Sequence, residues 1–225
     1  MPAALPARRR LLAFALCVVP FVALAALNSG GYRYGASDQA FYQPAVLAQL
    51  DPALFPRDGE VLAAQSRLTA ADEAMALVAR VSGAPLHLVF AGLYVAALVI
   101  FAWGAWHVGL RLYSQAWTAV ALMAALTLRH AIARSGTNTL EGYFQPRLLA
   151  YALGAAGIAA FLRGRLALTF GLVLMAGAVH PTTAVWFAVW LLVATALAFP
   201  AQRRLAAAAM AAGAAVSAWL LAGPL

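Results

Sequence analysis

Apolar residues in this chain come in long unbroken runs, not in the alternation of a half-buried strand or the one-sided stripe of a soluble helix. The runs cover approximately residues 11–27, 86–108, 112–128, 148–162, 166–179, 183–199 and 205–221. A bilayer crossing takes roughly 20 apolar residues. The pattern therefore predicts an all-α, polytopic transmembrane helical bundle of about seven spans, a single membrane domain over residues 1–225. The fourth and fifth runs are short: about 15 helical residues cover only about 22 Å, so flanking polar residues or local thinning must complete them.

The polar positions concentrate between the first two runs, in residues 28–85. Six of the seven acids lie there (Asp38, Asp51, Asp58, Glu60, Asp72 and Glu73), and the seventh, Glu141, lies between two other runs. Carboxylates are costly in hydrocarbon, which puts this segment in water or at the membrane surface. Short amphipathic surface helices are expected within it. Thr69 to Asp72 reads as a capping box, followed by Ala74, Leu77, Val78 and Val81 at helical spacing. Pro44 suits the first turn of another short helix ending at Asp51-Pro52, and Asp51 and Asp58 read as turn formers.

Composition sharpens the class. Hydrophobic residues make up 65% of the chain and charged residues 10%, far from the balance of a soluble domain. The net charge of +8 does not mark a nucleic-acid binder, because the arginines sit singly or in short clusters at the ends of apolar runs. Arg8 to Arg10, Arg111, Arg163 with Arg165, and Arg203 with Arg204 stand at joints without acids. The positive-inside rule makes those joints cytoplasmic and leaves residues 28–85, 129–147 and 180–182 extracytoplasmic. The expected location is a bacterial inner membrane with the N-terminus cytoplasmic. A cleaved signal peptide is the alternative reading of the first run. The single Cys17 allows no intramolecular disulfide.

Among the acids, Asp38 stands apart. It follows the first run by eleven residues, beside Arg33, Tyr34, Tyr42 and a glycine-rich exit at Gly30, Gly31 and Gly35, where backbone can approach a ligand. Its competing role is an N-terminal helix cap. The second extracytoplasmic segment offers Arg129, His130, Arg134, Glu141 and Arg147, whose guanidinium groups suit a phosphate. Snorkelling to headgroups or pairing with Glu141 is the structural alternative. His180, between the fifth and sixth runs, can donate a hydrogen bond, carry a proton or cap a helix end. Gly104, Gly154 and Gly157 suit close helix packing. There is no phosphate-binding glycine loop, H-E-x-x-H pair or nucleophile elbow.

A first span, a long outer loop with an early acid in Ala36-Ser37-Asp38-Gln39, and closely spaced later spans resemble the GT-C superfamily of membrane glycosyltransferases. The resemblance is architectural and covers nearly the whole chain. It implies transfer of a sugar from a polyprenyl-phosphate donor at the outer membrane face, with Asp38 as base or metal ligand and Glu141 as a second acid. Arg33, Arg129, His130, Arg134, Arg147 and His180 would then serve the substrate and its phosphate. A divalent cation shared by Asp38 and Glu141 is an open alternative, and no cofactor is assigned. Full-length members carry further spans, so the resemblance implies either the N-terminal part of a longer protein, the favoured expectation, or a minimal module. The partners are membrane lipid and the lipid-linked sugar, with an acceptor the sequence does not identify. The competing functions are a carrier or flippase for a lipid-linked substrate and a non-catalytic membrane protein.

Overall fold

A computed structural model describes residues 7–66, 69–113, 115–128, 130 and 138–222. They form ten α-helices: α1 (Ala7–Asn28), α2 (Gln39–Leu50), α3 (Gly59–Ser66), α4 (Ala71–Ser82), α5 (Leu86–Tyr113), α6 (Ala116–Leu126), α7 (Pro146–Phe161), α8 (Leu166–Val179), α9 (Pro181–Ala198) and α10 (Arg203–Ala222). No β-strand occurs among the described residues.

Among the described residues, three helices are long and apolar enough to cross a membrane: Leu11–Asn28 of α1, Leu86–Tyr113 and Pro181–Ala198. Helices α6, α7 and α8 are apolar but shorter, with 11, 16 and 14 residues. Three of the seven expected spans are thus of full length among the described residues. Leu11, Leu16, Val19 and Leu27 on α1, and Val185, Trp186, Val189 and Leu197 on α9, are exposed. So much bare apolar surface requires a lipid solvent, which marks a membrane protein.

The core is a helix sandwich with α7 at its centre, packed between α5 and α8 and touched by α9. Small residues allow the approach. A methyl group built at Gly104 on α5 would meet the Ala155 carbonyl carbon at 2.8 Å, one at Gly109 would meet Ala119 Cα at 2.6 Å, and Gly154 lies under the Phe187 ring. Gly157 makes only ordinary contacts, the nearest at 3.5 Å. Helix α1 joins this bundle through Phe21 and Ala25, with Phe14 against Trp106 and Phe21 against Phe101. Helix α5 runs on through Arg111 to Tyr113, so Arg111 belongs to its last turn and is not a separate joint.

The segment between α1 and α5 departs from its reading in two places. Helix α2 begins at Gln39, which puts Pro44 inside it. Gln39 sets that start: it is 0% exposed, its amide accepts from Gly35 N–H at 2.7 Å and donates to the Phe144 carbonyl at 2.8 Å. Helix α4 has Ala70 at its N-cap, with no side-chain cap bond, so the capping box does not form. Its inward face is Ala71, Asp72, Met75, Ala76 and Ala79, while Leu77, Val78 and Val81 face outward. Docking decides this choice, since the Ala70 N–H bonds the Ala178 carbonyl at the end of α8 at 2.8 Å. Asp51 does form the expected turn, accepting from Ala53 N–H at 3.0 Å.

Candidate active site

Two segments distant in sequence are bonded together at one end of the bundle. The Asn28 amide donates to the Thr127 carbonyl at 3.0 Å, the Ser29 hydroxyl to the Leu140 carbonyl at 3.3 Å, and the Arg33 N–H to the Gly142 carbonyl at 2.7 Å. Gly142 lies so close to the Gly31 carbonyl that a methyl group there would collide with it. Gly30, Gly31 and Gly35 themselves have open space around them and positive φ, so they serve backbone conformation at this exit, not close approach. Ser37 also holds a positive φ of 50°. An L-residue pays for that conformation, which is typical of a site held by its surroundings.

Beside this seam opens a cavity of about 750 Å³. Its walls include the residues that immediately precede three helices: Asp38 before α2, Gln145 before α7 and His180 before α9. Each helix N-terminus carries partial positive charge. Arg147, on the first turn of α7, adds a full one. The Arg147 guanidinium pairs with Glu141 Oε1 at 3.4 Å, and the same carboxylate oxygen accepts from the Asn138 N–H at 2.9 Å.

Gln145 is 3% exposed and links the charged groups. In the amide orientation that satisfies its neighbours, it donates to Asp38 Oδ2 at 3.0 Å and accepts from Arg147 Nη2 at 2.8 Å. The Asp38 side chain makes no cap hydrogen bond to α2. It faces the cavity, which removes the helix-cap reading of this acid. Among the described residues its Oδ1 has only the Ser37 hydroxyl nearby, at 3.5 Å, and so can accept a proton or hydrogen bond from a ligand.

His180 serves two helix ends: its backbone N–H bonds the Ala176 carbonyl at the end of α8 at 2.7 Å, and its side chain caps the start of α9. Its Nδ1 accepts from the Thr183 N–H at 3.3 Å and lies 2.8 Å from the Thr183 hydroxyl and 3.1 Å from the Thr182 hydroxyl. An accepting Nδ1 leaves the neutral ring's proton on Nε2. Burial, and then the Arg147 charge, hold the imidazole below its ordinary value of 6.5, so it is neutral at neutral pH. Burial, then the Asp38 and Asp72 carboxylates, push the Tyr42 phenol above its usual 10, which keeps it a donor.

The rest of the cavity is aromatic. Tyr151 follows Arg147 by one turn of α7, and Trp186, Phe187 and Trp190 follow Thr182 and Thr183 along α9. From Thr182 to Trp190 the wall descends about 12 Å at 1.5 Å per residue. Trp186 is 79% exposed. The cavity is therefore graded, polar and electropositive at the helix ends and apolar along a candidate span.

Of the residues singled out from the sequence, Asp38, Arg147 and His180 line this cavity together. Glu141 holds Arg147 and is not among the lining residues. Arg33 and His130 are exposed and also not part of the lining. Arg129 and Arg134 lie outside the described residues. One oxygen of each acid is turned to a hydrogen-bond donor: Gln145 for Asp38, and Arg147 with the Asn138 N–H for Glu141. No cluster of three His, Cys, Asp or Glu occurs among the described residues.

Tyr42, noted beside Asp38 in the sequence, joins it in the lining, whereas Gln145 and the α9 aromatics were missed as site residues. One signal was present: Gln145-Pro146-Arg147 puts a cation in a helix's first turn, against the macrodipole, which calls for a nearby anion. Compared with known proteins, the chain matches no family model, no curated protein and no solved structure.

Proposed function

We propose that this protein is a membrane glycosyltransferase of the GT-C kind, taking sugar from a polyprenyl-phosphate donor at the extracytoplasmic face of a bacterial inner membrane. One observation carries the reading: three helix N-termini and Arg147 converge on the polar end of a cavity whose other end is an aromatic wall running down a candidate span. That gradient matches an amphiphile with an anionic head. Helix N-termini and guanidinium groups are suited to phosphate. The clustering of Arg111, Arg163, Arg165, Arg203 and Arg204 at the far end supports a cytoplasmic placement there and an extracytoplasmic cavity.

In this reading Asp38 takes the proton of an acceptor hydroxyl as its oxygen attacks the anomeric carbon from the face opposite the phosphate. The C–O bond to phosphate breaks, its electron pair stays on the polyprenyl phosphate, and the anomeric configuration inverts. Arg147, the Nε2–H of His180 and the start of α9 stabilise the charge that grows on the leaving phosphate. A positioned base contributes roughly 10²- to 10⁴-fold.

The carrier alternative draws less support. Thr169 and Thr195, buried in α8 and α9, bond carbonyls of their own chain one turn back, at 3.0 and 2.7 Å. They supply no polar pathway for a transported headgroup.

Titration of purified protein with polyprenyl phosphate, followed by tryptophan emission, tests the binding half of the proposal. A saturable change is expected, weakened at least tenfold in Arg147→Gln and diminished in Trp186→Leu. The same response to a polyprenol without phosphate would contradict an anion-directed site.

A further inference from the structure

The end of the bundle opposite the cavity carries a second constellation. Trp103, His107 and Arg111 recur four residues apart on α5 and share one stripe. The Trp103 and His107 rings lie 4.3 Å apart, and His107 Nδ1 is 2.8 Å from the Trp103 carbonyl oxygen. The Arg163 guanidinium sits over the Trp103 ring, 5.7 Å from its centroid, a cation–π arrangement. Arg111 Nε donates to the Leu162 carbonyl at 2.9 Å, which holds its guanidinium beside the residue preceding Arg163.

The turn after α7 is tight. Gly164 N–H bonds the Phe161 carbonyl at 2.8 Å and Arg165 N–H bonds the Ala160 carbonyl at 3.1 Å. Gly164 adopts a φ of +71°, which this reversal requires. Arg111, Arg163 and Arg165 are thereby gathered at one corner.

No acid of this chain lies between Pro85 and Glu141 or beyond Glu141. The ion pair present among the described residues, Arg147 with Glu141, belongs to the other end. Arginines that acted only as topology signals would need no fixed geometry, whereas Arg111 and Arg163 are held by a backbone carbonyl and an aromatic ring. The depth is also informative: Trp103 stands 17 residues along α5 from Leu86, about 25 Å, close to the far boundary of a hydrocarbon core of about 30 Å. Tryptophan and arginine together are suited to that boundary.

We propose that Arg111, Arg163 and Arg165, with Trp103 as platform, form a binding site for the phosphate of an anionic lipid headgroup in the leaflet opposite the cavity. Guanidinium groups take phosphate through paired hydrogen bonds, and an anion here relieves the repulsion among three like charges. The glycerol and acyl part of the lipid lies against the Trp103 edge of the stripe.

The test uses purified protein in detergent, titrated separately with phosphatidylglycerol, phosphatidylcholine and inorganic phosphate. Thermal unfolding is followed, and bound lipid is counted by native mass spectrometry. Phosphatidylglycerol is expected to raise Tm by several degrees more than phosphatidylcholine. Its occupancy should fall at least threefold in Arg165→Gln, an exposed side chain whose loss leaves the described contacts intact, and further in Arg163→Gln. Arg57→Gln, the same charge change at the other end, should leave occupancy unchanged. Equal shifts from both lipids, or full phosphatidylglycerol occupancy in Arg165→Gln and Arg163→Gln, would overturn the site. Stabilisation by inorganic phosphate with none by phosphatidylglycerol would overturn the lipid assignment.

Discussion

Asp38 Oδ2 and the Gln145 amide nitrogen lie 3.0 Å apart, a hydrogen bond that joins the start of one helix to the start of another. The other end of that amide holds Arg147 at 2.8 Å. The candidate base and the candidate phosphate ligand are thus fixed by one buried side chain. Gln145→Leu should leave both without this partner and lower kcat for sugar transfer by roughly 10- to 100-fold, the scale expected of a misplaced catalytic group. Its effect on donor KM should be smaller. Steady-state kinetics with kcat unchanged would show that the amide does not position Asp38.

Glu141 and Arg147 separate in the same way. Glu141 braces Arg147 at the cavity wall, and an ion pair between partly exposed groups is worth only about 0–1 kcal/mol. Glu141→Gln, which still offers an acceptor to the Asn138 N–H, should change donor KM by no more than a few fold. Arg147→Gln should raise it tenfold or more. Arg147→Lys should not restore wild-type behaviour, because a point charge cannot serve Gln145, Glu141 and a phosphate from one planar fork.

Asp72 gives a pH signature. It is 3% exposed, its Oδ1 has no hydrogen-bond partner among the described residues, and burial followed by the Glu73 charge raises its pKa from 3.8 to about 6. The folded protein therefore holds this proton more tightly than the unfolded chain. The resulting stability is complete below the unfolded value of 3.8 and is lost as pH rises through about 6. At about 1.4 kcal/mol per pKa unit, ionisation costs on the order of 3 kcal/mol. Asp72→Asn should raise Tm by several degrees at pH 7.5 and have little effect at pH 4. Parallel Tm curves across that range would show that Asp72 ionises without penalty.

Helix packing gives a prediction independent of function. A side chain at Gly104 would press on the Ala155–Ala156 backbone from 2.8 to 3.0 Å away. Gly104→Val should destabilise by about 1–3 kcal/mol or more, as overpacking does. Gly171, with nothing within 4 Å of an added methyl group, should tolerate Ala with little change. Thermal unfolding in detergent distinguishes the two.

Much of the architecture was legible because bilayer solvation dictates long apolar runs. The extent of α6 was less so, because it covers only Ala116–Leu126 of the run over residues 112–128, whereas α7 and α8 lie within two residues of their runs. The buried face of α4 was not read from the sequence. Ala71, Met75, Ala76 and Ala79 are individually weak signals, and only docking on α8 and α2 makes them the buried side, leaving the stronger Leu77, Val78 and Val81 outside. At the site, Asp38, Arg147 and His180 were visible as charged or titratable residues at polar joints. Gln39 and Gln145 were not, because an uncharged amide shows its importance only when both of its ends find partners from a distant segment.

The central claim is that Asp38 removes the acceptor proton while the cavity around it holds a lipid-linked phosphate. Single-turnover transfer from a polyprenyl-phosphate sugar, compared between wild type and Asp38→Asn, tests it most directly. The substitution preserves shape and the cavity's other contacts, so donor binding should persist while the rate falls by roughly 10²-fold or more, the contribution of a positioned base. Unchanged turnover in Asp38→Asn would contradict the assignment.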